Sequence, residues 1–145
     1  MESKPVFLKT LKGGLVLRAT PAALSAPKPP PTARAKAAQE VEDEARAHVI
    51  SQGGDPSMDQ LVLSQHRMQF GKYWGQTFKW LLENDVGYTL PLLTSHQKER
   101  ERSRSQSALM ANKDALTRYA HAFPELLESL RFVEGVCYGT AHNAV

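Results

Sequence analysis

Six of the nine prolines fall within the first 31 residues: Pro5, Pro21, Pro27, Pro29, Pro30 and Pro31. Proline fixes φ and supplies no backbone donor, so this stretch cannot form a long helix or the interior of a sheet. The run Ala26-Pro-Lys-Pro-Pro-Pro31 favours an extended polyproline II path. Such a segment carries too few large apolar side chains to offset its ordering entropy. The expectation is a disordered, basic, proline-rich tail over 1–32, with any conventional core confined to the residues C-terminal to it.

The charge is divided in the same way. Residues 1–36 carry Lys4, Lys9, Lys12, Arg18, Lys28, Arg34 and Lys36 against Glu2 alone, a local charge of +6. The whole chain of 145 residues carries +3, so the remainder is −3. Attraction for phosphate therefore belongs to the tail, and in the rest it must come from a local patch. A plain tail or linker is preferred over two sharper readings. One is an organelle transit peptide, which Gly13-Gly14 and the prolines interrupt. The other is a polyproline ligand, for which Pro27 and Pro30 have P-x-x-P spacing. A secretory signal fits worse, because Lys9 and Lys12 break its apolar core. The compartment stays open, with nuclear or cytoplasmic preferred over secreted. No run of 18 apolar residues suggests a membrane span.

Beyond the tail, Ala35, Ala38, Val41, Ala45 and Val49 repeat at helical spacing and predict an alanine-rich helix over 33–52, stopped by Gly53-Gly54. Ser57-Met-Asp-Gln60 predicts an N-cap for a short helix at Leu61, with a strand over 61–63 as the competing reading. A small, α-rich α+β domain is expected over 57–135. Its centre is Phe70-Gly-Lys-Tyr-Trp-Gly-Gln-Thr-Phe78, where Gly71 and Gly75 permit a tight reversal between short strands. Thr77 then caps a helix over Phe78–Asn84, and Asp85 caps a second carrying Tyr88, Leu92 and Leu93. Pro91 is awkward there unless it occupies a first turn. A charge-dense helix end continues to Arg104, then a linker at 103–107 with Arg-x-x-Ser spacing. Asn112 is read as the cap of a helix through Phe123, with Leu116, Tyr119 and Ala120 inward. Pro124 opens a last helix to Glu134, and 136–145 is a loose tail.

The motif formed by Phe70, Gly71, Tyr73, Gly75, Thr77 and Phe78, followed by Leu81, Asp85 and Tyr88, resembles a small module at the C-terminus of exodeoxyribonuclease X-like proteins. The resemblance covers about residues 67–95. It implies short strands joined by the glycine turn and covered by two helices. Where that module has a Trp three residues after the last Tyr, this chain has Pro91. A longer stretch, about 47–132, resembles the N-terminal part of uncharacterised, transposon-associated multi-copy fish proteins. That likeness implies a non-catalytic accessory module, or a truncated copy with no retained function.

The chemistry-bearing residues do not assemble into a catalytic signature. The acids fall on polar helix faces and caps rather than at strand ends where paired carboxylates would hold metals. The single Cys137 and the scattered His48, His66, His96, His121 and His142 lack metal-ligand spacing. No phosphate loop or nucleophile elbow is present. The expectation is no enzyme and no cofactor. The candidate contact residues are Lys72, Trp74, Gln76 and Lys79, on the exposed side of the glycine turn. Lysines meet phosphates, and a tryptophan stacks on an unpaired base. The partner would be DNA or RNA, bound in a weak and salt-dependent way. A protein partner is the alternative.

Overall fold

The computed structural model describes residues 1–130. The chain is mostly helical, with α1 at Pro21–Leu24, α2 at Ala38–Ser51, α3 at Asp59–Ser64, α4 at Phe78–Asn84, α5 at Val86–Arg102 and α6 at Ala108–Ala120. Residues 124–130 form a further helix, α7. The expected extent of that helix to Glu134, and the tail at 136–145, lie outside the described residues.

The α4–α5 corner follows directly from its sequence. The Thr77 side chain accepts from the Trp80 N–H, and the Asp85 side chain accepts from the Tyr88 N–H, so each helix begins on a satisfied N-cap. Between the caps, Phe78, Leu81 and Leu82 share one face and are fully buried. Each contributes about 1.5–3 kcal/mol of apolar burial. They meet Met68, Tyr73, Leu90, Leu93, Leu116, Tyr119, Phe123 and Leu126 in the main core. A smaller cluster of Ala45, Val49, Leu61 and Val62 joins α2 to α3.

Several local expectations are corrected. The short strands around the glycine turn are reduced to one antiparallel bridge, Arg67 to Thr77. The arms are closed by Met68 N–H to Gln76 O at 2.8 Å, Gly75 N–H to Met68 O at 2.8 Å and Phe78 N–H to His66 O at 2.9 Å. α4 begins at once after that pairing, so there is no length for a strand. α2 starts at Ala38 rather than 33, because the Lys36 N–H is drawn away by the Gln69 side chain at 2.8 Å. Ser57 is not a cap: its N–H and hydroxyl both donate to Asp55 Oδ1, forming an Asx turn, and Met58 precedes α3. Residues 61–63 are helical. Ser107, not Asn112, caps α6 through a bond from the Met110 N–H.

Pro91 is the sixth residue of α5, beyond the first turn. Its ring faces solvent, and the helix continues through it to Arg102 at the cost of one backbone bond.

The largest difference concerns the N-terminal segment, which lies against the core instead of free of it. Pro5 and Ala23 are buried. Phe7 meets Phe123 edge-on, with ring centroids 5.9 Å apart. The Tyr119 hydroxyl donates to Ser3 O at 2.6 Å, and the Val6 N–H donates to Glu83 at 2.8 Å. The Thr20 N–H donates to Asn84 O at 2.9 Å, and the Gly87 N–H to Leu17 O at 3.1 Å. A Cβ at Gly87 would collide with that Leu17 carbonyl. The segment's own apolar residues are too few to offset its ordering entropy, and the surface that the core supplies makes up the difference.

Candidate functional site

The glycine turn is built so that its backbone reverses under Tyr88. Gly71 and Gly75 have φ of 72° and 89°, the left-handed region that side chains disfavour. A Cβ on Gly71 would also strike the Tyr88 hydroxyl. The reversal turns Tyr73 inward, where its hydroxyl donates to Asp85 Oδ2. Asp85 therefore serves two elements, since its other oxygen caps α5 at 3.0 Å from the Tyr88 N–H. Tyr73 meets Trp80 and Tyr88 edge-on, at 5.3 and 5.1 Å between ring centroids. Burial and the Asp85 bond push the Tyr73 phenol well above its ordinary value, and burial raises Tyr88 as well.

The motif residues are thus accounted for by structure. Phe70 is half-buried beneath the Lys113 ammonium, 5.4 Å from the ring centroid. Thr77 caps, Phe78 and Leu81 fill the core, and Tyr88 covers the turn. The four candidate contact residues fare differently. Lys72 is exposed, but its ammonium lies 4.0 Å from Asp85 and about equally over Tyr88 and Tyr73, at 4.9 and 5.2 Å. Lys79 pairs with Glu83 at 3.9 Å along α4. Trp74 is half-buried, and its indole N–H is buried without a hydrogen-bond partner among the described residues. Gln76 is half-buried, and its backbone closes the turn. The four share one turn and the start of one helix, but the two lysines are each held by a carboxylate rather than standing as a free pair.

Two features escape the sequence. Asn112 is buried inside α6 and clamps the turn's entry, with Oδ1 accepting from the Gln69 N–H at 2.9 Å and Nδ2 donating to Arg67 O at 3.0 Å. Asp114 ties α5 to α6. It is 2.7 Å from His96 Nε2 and accepts from Arg100 at 2.9 and 2.5 Å. The Arg100 bonds hold the Asp114 carboxyl below its usual range. The i, i+4 placement of His96 and Arg100 on one face of α5 is the signal that marks this pair. Among the described residues, no group of three or more His, Cys, Asp or Glu side chains could hold a metal ion. None of the described helices is long and apolar enough to cross a membrane.

The docked segment adds the cations that the turn lacks. Lys4 and Lys9 reach Glu125 at 3.5 and 3.8 Å, and Lys36 reaches Glu44 at 2.8 Å. Lys12, Arg18, Lys28 and Arg34 are exposed and have no carboxylate partner among the described residues. No family profile, curated protein or solved structure matches this chain.

Proposed function

We propose that the chain is a non-catalytic accessory module, of the transposon-derived kind its resemblance implies. It contacts DNA or RNA weakly through the basic strap of residues 1–36. Lys72, Trp74, Gln76 and Lys79 form a secondary margin. What supports this reading is the strap: Lys12, Arg18, Lys28 and Arg34 lie without carboxylate partners, among the described residues, on a segment already seated on the core. Cations on an ordered segment cost less entropy to engage than those of a free tail. The non-catalytic reading rests on Thr77, Asp85 and Tyr73, polar side chains of the glycine motif that caps and an internal bond take up.

A gel shift on single-stranded DNA as a function of salt tests it. Four phosphate contacts predict a slope of log K against log salt of about −3, from about −0.7 for each contact on a single strand. Changing Lys12, Arg18, Lys28 and Arg34 to Gln should abolish most of that slope, while Lys72→Ala with Lys79→Ala should change it little. No shift at low salt on single-stranded DNA, duplex DNA or single-stranded RNA refutes the reading. An unchanged slope in the four-Gln variant moves the contact elsewhere.

A protein partner remains the second reading, because the same strap exposes Leu8, Leu11, Leu17 and Leu24, with Leu11 fully exposed at 108%. Scattered surface leucines are ordinary, but four on one segment suit an apolar partner. Leu11→Ser with Leu24→Ser would then abolish partner capture without altering the salt slope.

A further inference from the structure

The connection between α5 and α6 reads Arg100-Glu-Arg-Ser-Arg-Ser-Gln-Ser107, in which three Arg-x-x-Ser registers overlap. They pair Arg100 with Ser103, Arg102 with Ser105 and Arg104 with Ser107. The fold treats them unequally. A kinase cleft takes its substrate as an extended, exposed strand, and an arginine three residues before the serine must be free to meet the cleft's carboxylates.

The first register fails that requirement. Arg100 lies within α5, bonded to Asp114 through two nitrogens and to Ser105 O at 2.7 Å. The third is compromised at its serine. Ser107 is the N-cap of α6, so the helix begins at the next residue and the chain beyond this serine is not extended. The middle register comes nearest to both demands, with Arg102 the last residue of α5 and the Ser105 backbone held through its carbonyl by Arg100 and through its N–H by Ser103 Oγ. Residues 103–107 lie outside any helix, and Ser103 and Ser107, which frame Ser105, have extended φ, ψ of −137°, 135° and −61°, 158°. Ser105 is exposed, and its Oγ only accepts the Ser107 N–H at 3.2 Å, so its proton is uncommitted. Arg102 ends α5 with an exposed guanidinium that has no partner among the described residues.

We propose that Ser105 is a phosphorylation site for a basophilic serine kinase that recognises Arg102. In the transfer, Ser105 Oγ attacks the γ-phosphorus of kinase-bound ATP. The new Oγ–P bond forms as the bond from that phosphorus to the β,γ-bridging oxygen breaks. The hydroxyl proton passes to the kinase's carboxylate base, and ADP leaves. The product places a charge of about −1.5 to −2 between Arg102, Arg104 and the first turn of α6. It cancels the two exposed cations of the linker.

The test uses the full chain, Mg-ATP and a calcium–calmodulin-dependent kinase, with sites mapped by tandem mass spectrometry. Phosphate is expected on Ser105 ahead of Ser103 and Ser107. Ser105→Ala and Arg102→Ala should each lose the main incorporation. Arg104→Ala, which removes only the arginine of the third register, should keep it. All three side chains are exposed, and unchanged far-UV circular dichroism confirms that the variants fold. Incorporation chiefly at Ser103 or Ser107 overturns the proposal. So does no incorporation, or loss with Arg104→Ala but not with Arg102→Ala.

Discussion

Asn112 should be among the most sensitive polar positions in the fold. It is 4% exposed, and it bonds two backbone groups of the segment that leads into the glycine turn. Asn112→Ala leaves the buried Gln69 N–H without its acceptor, which costs about 1–3 kcal/mol. The Arg67 carbonyl is only partly buried and still accepts from Gln69 Nε2 at 3.3 Å, so its loss adds at most about 0.5–1.5 kcal/mol. Alanine is the better helix former, which returns at most about 0.7 kcal/mol. The net expectation is a loss of about 2–3 kcal/mol, a large fraction of the roughly 5–15 kcal/mol that holds a domain of this kind folded. Measured through the fluorescence of Trp74 and Trp80, the urea midpoint should fall by about 0.7–3 M, given slopes of about 1–3 kcal/mol per M. Asn112→Asp supplies a second reading of the same geometry. It keeps the acceptor for Gln69 but sets a carboxylate oxygen against the Arg67 carbonyl. Its folded pKa is then raised, so the deficit is full above that pKa and shrinks as pH falls through it, when the protonated acid donates to Arg67. A loss below about 1 kcal/mol for alanine, or a pH-independent deficit for aspartate, would refute the clamp.

Two further perturbations test the strap and a buried imidazole. Gly87→Ala should destabilise the chain and speed tryptic cleavage at Arg18, although alanine in a helix normally gains up to about 1 kcal/mol over glycine. A Cβ there displaces the Leu17 carbonyl, and a stabilised variant with unchanged cleavage would mean that the strap is not seated at Gly87. His66 is buried, with Nδ1 at 2.9 Å from Val62 O, and desolvation lowers its pKa from 6.5 against a weaker opposing effect of that bond and of Glu42. A depressed histidine pKa means that the unfolded chain binds the extra proton. The contribution is complete above pH 6.5 and is lost as pH falls toward the folded value, by at most about 1.4 kcal/mol per pH unit. Urea midpoints at about pH 7.5 and about pH 5.5, either side of the ordinary histidine pKa, should differ in the parent and converge in His66→Gln; an equal difference in both would remove His66 as the cause.

The sequence is most legible where the determinant is local. Thr77 and Asp85 announce α4 and α5 because an N-cap is a relation between residues three apart, and the apolar spacing of Phe78, Leu81 and Leu82 names the buried face. Legibility fails where one residue type has two uses. Asn112 reads as a cap because asparagine favours that role, but it sits inside α6 and bonds to residues more than forty positions away. Ser57 suffers the reverse, since a nearby Asp55 outcompetes the helix for its N–H. For the candidate contact residues, the sequence identifies their turn but not the state of their charges. Whether Lys72 and Lys79 are free depends on Asp85 and Glu83, whose directions are set by the cap and by the helix face.

The strap shows why deletion is the wrong instrument for testing binding here. A free basic tail could be removed with no effect on the fold, and any lost affinity would be electrostatic. In this chain Thr20 is bonded to Asn84 through both its N–H and its hydroxyl, Tyr119 donates to Ser3, and Phe7 packs on Phe123. Removing residues 1–36 therefore strips contacts from α4, α6 and the start of α7 together. The core would lose stability, and a lost gel shift would not separate charge from unfolding. Substituting Lys12, Arg18, Lys28 and Arg34 avoids this, because none of the four has an ion-pair partner among the described residues. Exposed cations without partners contribute within about 0.5 kcal/mol to stability, yet each removes one phosphate contact from the salt slope. If the four-Gln variant melts like its parent and binds with a flattened slope, the strap acts through charge on a fixed frame. If it melts lower, those side chains hold the strap itself, and the assignment of the four as contact residues fails.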